Sequence, residues 1–350
     1  MARAAARPVR VVASERARTW NDALFTEMAV AAEALEERYL RKKKLLHRRA
    51  ATAELAADVR ENVIGVGVGE RITNNQPQGE LCITVYVRRK LRPNRLGARQ
   101  MIPGRFRGFL VDVAELGDMQ PAQFAPANTV LLPSQVVRPI QPGCSVGVVG
   151  TGGRAIAGTL GAVVRNAGGV FLLSNNHVLA DEDRVPVGTP VFQPSPDDAA
   201  AAVPVGTLAS AVPLSLSVPN LVDAAIAAVV NGTAARADIV GLRAPTTAVQ
   251  PTLNMQVEKF GRSTNYSAGV IANPQISIQL PYQIGVLKFR QQFVIRGNML
   301  SEFAKGGDSG ALVLQRGTSS AVGLLHSCNG IYAIASPISP VLGACGVTFA

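Results

Sequence analysis

The chain has 350 residues and a formal net charge of +11, with 47% hydrophobic and 17% charged residues. This composition supports a large buried core, and the 33 glycines and 22 prolines favour many short strands joined by turns over a helical bundle. The sequence has no run of 18 or more apolar residues, so a transmembrane helix is not expected.

The first 60 residues are predicted to form a basic helical segment. They carry 13 basic and 8 acidic side chains, and the run "RYLRKKKLLHRR" (38–49) holds seven of the basic ones. From residue 19, apolar residues recur every three or four positions, which predicts a helix to about residue 47; a second helical stretch is predicted at about 50–60. The apolar face of the first helix either packs on its own protein or drives homo-oligomer formation through residues 19–47.

Partners and compartment are indicated mainly by what the sequence lacks. A second basic run covers 88–107, and both basic runs indicate either solvated faces or contacts with an acidic partner, an anionic membrane surface or nucleic acid. Because these runs are poor in aromatic residues, nucleic acid is not favoured as a partner. No secretory signal is visible and no cysteine has metal-ligand spacing. We therefore expect a cytoplasmic protein with reduced thiols and with neither metal nor cofactor.

A small α/β domain is predicted at 61–118. "NVIGVGVGE" alternates apolar residues with glycine, and "LCITVYVRR" and "FRGFLVDVAEL" (106–116) also have the period of strands. The glycines do not form a dinucleotide-binding fingerprint, because their spacing is wrong and a turn and a strand follow them. Residues 119–142 hold five prolines and one charge, which is typical of a linker.

From residue 143 to the end, about twelve short apolar segments alternate with Gly, Pro and Asn turns, which predicts an antiparallel barrel or sandwich. Within it, Ser309 lies in "KGGDSGALV" (305–313). A serine becomes a strong nucleophile only when a base removes its proton and the oxyanion is stabilised.

Three histidines could supply that base. His47 lies in the basic helix, and His326 lies in "VGLLHSCNG" near the C-terminus. His177, in "FLLSNNHVLADED", follows an apolar strand at a point where barrels display reactive groups. We therefore favour His177 as the base.

Asp223 is the favoured carboxylate. It begins the apolar strand "VDAAIAAVV", where a buried acid needs a partner such as an imidazole Nδ1–H. Asp181 and Asp183 are nearer to His177 in sequence, but their polar loop is expected to be exposed. The order His177, Asp223, Ser309 is the one found in chymotrypsin.

These motifs carry a family resemblance. "NNHVLA", "VDAAIAAV" and "GGDSGALV" resemble the His, Asp and Ser motifs of trypsin-like (chymotrypsin-fold) serine proteases. The chain from about 61 onward is similar to a bacterial and plant branch with an extra N-terminal domain. The resemblance implies a mainly β fold in which residues 143–350 form two six-stranded barrels with the site in the cleft between them. It also implies an oxyanion hole made by the N–H groups of Gly307 and Ser309, and a buried Asp308 with an internal partner.

The residues expected to line the substrate pocket depart from the family pattern. Phe303 stands where trypsin has an aspartate at the base of its specificity pocket, and His326, Ser327 and Cys328 replace a Ser-Trp-Gly segment. A preference for Lys or Arg is therefore not expected, and an apolar or small P1 residue is favoured. Val178 replaces a disulfide-forming cysteine of secreted relatives, which agrees with a reducing compartment.

Together these observations favour a serine endopeptidase that acts on protein or peptide substrates through an acyl-enzyme. Two alternatives remain. One is a catalytically weak or inactive protease-fold binding or scaffolding protein that assembles through its N-terminal helix. The other is a non-proteolytic acyl hydrolase.

Overall fold

The computed structural model describes residues 22–40, 62–73, 76–91, 96, 101–121, 132–199, 202–230, 233–297 and 302–350. The helical stretch predicted at 50–60, the predicted end of the first helix near residue 47, and His47 lie outside these residues. No helix in the described ranges has the length and apolar character needed to cross a membrane.

The N-terminal part consists of one helix and a small group of strands. Helix α1 (Asp22–Tyr39) precedes the strands β1 (Val63–Thr73), β2 (Gln76–Val87), β3 (Arg105–Phe106), β4 (Phe109–Glu115) and β5 (Gln120–Pro121). β1 and β2 form an antiparallel hairpin, and β4 lies parallel to β2. The alternation in "VIGVGVG" places Val66 and Val68 in the core under α1.

The apolar face of α1 packs on its own chain. Met28, Leu35 and Tyr39 are buried in one cluster with Val66 and Val85. This packing agrees with the first of the two alternatives for the helix. Homo-oligomer formation through residues 19–47 stays a prediction.

The first barrel is built from eight strands: β6 (Ser145–Val149), β7 (Ala155–Thr159), β8 (Ala162–Asn166), β9 (Gly169–Ser174), β10 (Pro190–Gln193), β11 (Val203–Ala211), β12 (Ala225–Val229) and β20 (Thr348–Phe349). They form one sheet in the order β20-β8-β9-β12-β11-β10-β6-β7. A one-turn helix, α2 (Asn176–Leu179), follows β9.

The second barrel has six strands: β14 (Gln256–Gly261), β15 (Asn265–Tyr282), β16 (Gly285–Gly297), β17 (Leu312–Gln315), β18 (Ser320–Cys328) and β19 (Tyr332–Pro337). They run in the order β14-β17-β18-β19-β16-β15, and the barrel closes because β15 pairs again with β14. The short β13 (Thr247–Ala248) pairs with β18, and helix α3 (Ile338–Cys345) follows β19.

The hairpin β15–β16 joins the N-terminal strands to the second barrel. β15 has 18 residues, and its middle pairs with β1, so one sheet runs from the second barrel to β3. The two chains come close at Gly67, where a Cβ would lie 2.5 Å from Ile276 Cγ2 and 2.6 Å from the carbonyl oxygen of Gln275. The glycines of "GVGVG" therefore permit strand packing. The segment predicted as a separate domain at 61–118 shares its sheet with the barrel predicted at 143–350.

The predicted linker makes ordered contacts at both of its ends. At its start, β5 pairs antiparallel with β18, with Pro121 opposite Ser327 and Gln120 opposite Cys328. Toward its end, Ile140 is fully buried and forms a bridge with Ala235. Residues 122–131, between these contacts, lie outside the described part.

The packing of α1 predicts a measurable contribution to stability. Because Leu35 is fully buried, Leu35→Ala should lower the free energy of unfolding by about 3 kcal/mol in urea denaturation. The matched variant Leu24→Ala removes a leucine that is 40% exposed and should cost less than about 1 kcal/mol. Equal effects of the two variants would contradict the intramolecular packing.

Candidate active site

His177 and Asp223 are brought together by two neighbouring strands of the first barrel. β9 pairs with β12, with Ser174 opposite Ala225, so the residues that follow β9 lie beside those that precede β12. His177 lies in α2, directly after β9, and Asp223 lies two residues before β12. The Asn175 side chain donates to the carbonyl of Asp223 at 2.7 Å and fixes one segment to the other.

The Asp223 carboxylate is fully buried and accepts three hydrogen bonds. Its Oδ2 accepts from His177 Nδ1 and, at 2.7 Å, from the hydroxyl of Tyr282. Its Oδ1 accepts from the backbone N–H of His177 at 3.2 Å. Burial alone would raise the pKa of Asp223, but the attraction of His177 and these hydrogen bonds outweigh burial and hold that pKa below its ordinary value. The carboxylate is therefore ionised at neutral pH.

The two alternative acids after His177 have other partners. Asp181 forms ion pairs with Arg154 and Arg184, while Asp183 accepts from the Asn176 side chain and from the backbone N–H of Leu214. The expectation that Asp181 is exposed was wrong: the residue is 1% exposed. Its two arginine partners compensate for the burial of its charge.

The hydrogen bonds around Ser309 orient two peptide groups of its loop. The carbonyl of Gly306 accepts from Ser263 Oγ at 2.5 Å, and the carbonyl of Asp308 accepts from the N–H of Ala311 at 3.0 Å. Because a peptide's C=O and N–H point in opposite directions, the N–H groups of Gly307 and Ser309 face away from these partners. Neither N–H donates to another atom of the described residues. Both could therefore donate to a further acceptor.

Glycine is required at position 307. Its φ is +97°, and an added Cβ would collide with Ser263 Oγ and Arg262 Nη1. On the opposite side, the hydroxyl of Thr159 donates to the carbonyl of Gly307 at 2.9 Å. Thr159 belongs to β7, so the first barrel helps to hold the loop of the second.

Asp308 has an internal partner, as the family resemblance implied. The Nζ of Lys259 lies 3.4 Å from Asp308 Oδ2, and both side chains are fully buried. The backbone N–H groups of Ser263, Thr264 and Lys305 and the hydroxyl of Thr264 also donate to this carboxylate. Burial lowers the pKa of Lys259, while the charge of Asp308 opposes that shift. The buried pair of Lys259 and Asp308 therefore holds the loop of Ser309 in place.

The four predicted pocket residues are all buried. Phe303 lies in the core of the second barrel, 5.6 Å below the Nζ of Lys259. The carbonyl of His326 accepts from Ser309 Oγ at 3.1 Å, and the His326 ring donates to Gln292 Oε1 at 2.9 Å. Ser327 and Cys328 are the residues of β18 that pair with β5.

Access to Ser309 is closed in this arrangement. The exposed fractions of His177 and Ser309 are both 0%, and the edge of β18 beside them carries β5. Two clefts lie elsewhere in the described part. One, of about 220 Å³, lies between α1 and the hairpin, and the other, of about 430 Å³, lies beside Pro251 and Pro337.

Several residues of the site were missed by sequence reasoning. Tyr282 lies 59 residues from Asp223, and Thr159 lies 148 residues from Gly307, so no local pattern links either pair. Lys259 did leave a signal, because a lysine inside the apolar strand "NMQVEKFG" is buried and needs an acid. Ser263 left none, since a serine in a turn is common.

Comparisons with known proteins agree with this architecture. The model of Peptidase family S64 matches residues 215–343, a range that includes Asp223 and Ser309. No curated protein matches the chain. The two barrels and the peptidase match identify a chymotrypsin-like serine protease fold.

Solved structures with a similar fold are distant in sequence. A glutamic-acid-specific serine protease that uses a novel histidine triad in substrate binding is 16% identical, with 60% of this chain and 100% of that chain covered and a TM-score of 0.45. Cellulomonas bogoriensis chymotrypsin is 18% identical, with 60% and 98% covered and a TM-score of 0.42. For the Nocardiopsis protease NAPase the identity is 18%, the coverage 60% and 98%, and the TM-score 0.43.

The burial of His326 predicts a pH-dependent stability. Burial lowers the pKa of His326 to about 4, against 6.5 for an ordinary histidine. The unfolded chain therefore binds a proton as the pH falls through 6.5, whereas the folded chain binds it only near pH 4. Stability that is present above pH 6.5 is lost progressively between these two values.

Wild type should lose roughly 3 kcal/mol more than His326→Gln between pH 7 and pH 4. Urea unfolding of the two proteins at pH 7, 5.5 and 4 measures the difference. Parallel pH profiles would contradict a neutral buried His326.

Proposed function

We propose that the protein is a serine endopeptidase in which His177 is the general base, Asp223 orients it and Ser309 is the nucleophile. Two observations carry this proposal: the buried hydrogen bond between Asp223 and His177 Nδ1, and the loop of Ser309, in which the N–H groups of Gly307 and Ser309 donate to no atom of the described residues. With Nδ1–H donated to Asp223, the neutral imidazole offers its lone pair at Nε2.

In the proposed reaction, Ser309 Oγ turns from the carbonyl of His326 and gives its proton to His177 Nε2 while attacking the substrate carbonyl carbon. The tetrahedral oxyanion is stabilised by the N–H groups of Gly307 and Ser309. His177 then donates the proton to the leaving amine, which leaves an acyl group on Ser309. Water, deprotonated by His177, releases the acid and restores the serine.

The environment of the site supports an apolar or small P1 residue. No acid is available to bind Lys or Arg where trypsin has one, because Phe303 stands there in the barrel core. His326, whose pKa burial lowers to about 4, is neutral at pH 7 and hydrogen-bonded to Gln292. The substrate class remains a protein or peptide.

A peptide substrate would add to the edge of β18 next to Ser309, as extended peptides add to sheet edges in general. In the described structure β5 occupies this edge at Ser327 and Cys328. We therefore propose that β5 is displaced before a long substrate binds. We also propose a cytoplasmic location, which the four free cysteines support. We further propose that the protein self-associates through residues 19–47.

One observation favours a second candidate, a binding or scaffolding protein with a protease fold. Ser309 and His177 are both fully buried, so a partner could use the outer surface without any reaction at the site. Reaction with an active-site probe discriminates the two functions, because a protein that only binds partners does not need a reactive serine.

A fluorophosphonate probe tests the proposed nucleophile. Wild type should be labelled, and Ser309→Ala should give no signal. His177→Ala should label at least about 100-fold more slowly, because the serine loses its base. The control is Ser320→Ala, which removes a serine on β18 outside the site. Folded wild type that stays unlabelled would eliminate the endopeptidase.

A disulfide lock tests the role of β5. Gln120 lies opposite the native Cys328 in the strand pairing, so Gln120→Cys should form a disulfide under oxidation. Labelling by a tripeptidyl phosphonate should then slow at least about tenfold and recover with dithiothreitol. Gln120→Ser, treated in the same way, should not respond to oxidation. Unchanged labelling of a lock verified by mass spectrometry would contradict displacement of β5.

A further inference from the structure

Tyr282 contacts the His177–Asp223 pair from the second barrel, although His177 and Asp223 both belong to the first. It is the last residue of β15, at the tip of the hairpin that joins the second barrel to the N-terminal strands. From there its hydroxyl donates to Asp223 Oδ2 at 2.7 Å. Its ring also meets the His177 imidazole edge-on, with the ring centroids 5.7 Å apart and an interplanar angle of 80°.

The oxygen that Tyr282 binds is the one that holds the imidazole. Asp223 Oδ2 accepts from both His177 Nδ1 and Tyr282, while Oδ1 accepts from the backbone N–H of His177. Of the three hydrogen bonds that this carboxylate accepts from the described residues, the one from Tyr282 is thus the only one whose donor does not belong to His177 itself. A fully buried carboxylate without it would keep its charge with fewer donors.

We propose that Tyr282 is a positioning residue of the reaction, which shares Asp223 Oδ2 with His177 and restrains the imidazole ring through an edge-on contact. This inference rests on the proposed function. The residue that completes the hydrogen bonding of the His177–Asp223 pair thus comes from the hairpin β15–β16. This hairpin lies outside the sequence motifs of His177 and Asp223 and outside the strands β9 and β12 next to them.

The direction of the hydrogen bond is fixed by charge. An ionised carboxylate only accepts, so the phenol must donate. Burial, and then the negative charge of Asp223, raise the pKa of Tyr282 well above its ordinary value, so the phenol keeps its proton wherever an enzyme would work. The phenol is therefore present as a donor to Asp223 throughout the neutral pH range.

Further contacts hold the hairpin tip against the segments that carry His177 and Asp223. The backbone N–H of Ile284, in the turn, donates to Glu182 Oε2 at 2.9 Å, and Glu182 follows α2 closely in sequence. Asn220, three residues before Asp223, donates its N–H to the carbonyl of Lys288 at 2.8 Å. Tyr282 therefore sits on a part of the hairpin that is fixed to both neighbours.

Removal of the hydroxyl has two expected consequences. The imidazole is held less firmly, so Ser309 reacts more slowly, by about tenfold. The carboxylate also shares its charge with one donor fewer and attracts the imidazolium more strongly. The acidic limb of the rate profile therefore moves to higher pH.

The experiment measures the rate of fluorophosphonate labelling against pH for wild type, Tyr282→Phe and Tyr86→Phe. Tyr86 is the matched control because it is also buried and its hydroxyl accepts from Asn273 at 3.1 Å, outside the site. We expect slower labelling and an upward shift of the acidic limb in Tyr282→Phe alone. If both variants label like wild type at every pH, Tyr282 is a packing residue and the inference is overturned.

A second measurement separates this inference from the proposed function. The proton on His177 Nδ1 should give a low-field ¹H NMR signal, identified by its absence in His177→Gln. This signal should shift in Tyr282→Phe and stay in place in Tyr86→Phe, whether or not the protein is an enzyme. Wild type that is not labelled would contradict the endopeptidase function, whereas a His177 Nδ1 proton signal that does not shift in Tyr282→Phe would contradict the positioning role of Tyr282.

Discussion

A carboxylate that is charged and buried away from water needs hydrogen-bond donors, and the structure around the active site depends on how Asp223 obtains them. Its donors come from His177, directly after the neighbouring strand, and from Tyr282, at the end of a hairpin of the other barrel. The buried charge thus ties the two barrels together where they meet. Asp308 repeats the arrangement within the second barrel, where Lys259 supplies the compensating charge. Ser309 lies directly after Asp308, so its loop is held by the same kind of interaction.

The hairpin β15–β16 extends this connection to the N-terminal region. Its outer edge pairs with β1, and its second strand carries Lys288 and Arg290, which form ion pairs with Glu36 of α1. The 2%-exposed Glu36 follows the same rule as Asp223, since a buried acid recruits cations from a neighbouring element. The N-terminal helix and strands are therefore packed and hydrogen-bonded onto the strand that ends in Tyr282.

At the candidate site, the loop of Ser309 has N–H groups without acceptors in the described part of the chain, while β5 covers the neighbouring edge of β18. Ser263 Oγ and the N–H of Ala311 orient two peptide groups so that the N–H groups of Gly307 and Ser309 have no partner in the described residues. At the same time, β5 pairs with the edge of β18. An edge strand left bare invites other chains, and a segment of the same protein is one way to cover it. The N–H groups of Gly307 and Ser309 thus have no acceptor among the described residues, whereas the edge of β18 that would bind a peptide is paired with β5.

The sequence by itself determined the strand-rich class and pointed to His177 and Asp223 as a pair, because periodicity, the scarcity of histidine and the cost of burying an acid are local properties. The resemblance of its motifs to those of chymotrypsin-fold proteases added the two barrels and the need of Asp308 for an internal partner. The tertiary structure alone decided that Lys259 is that partner, that Tyr282 donates to Asp223, that "GVGVG" lies against β15 and that β5 covers β18. These pairs are far apart in the chain, and their contacts depend on strand register and hairpin length, which a single sequence does not encode as a readable pattern.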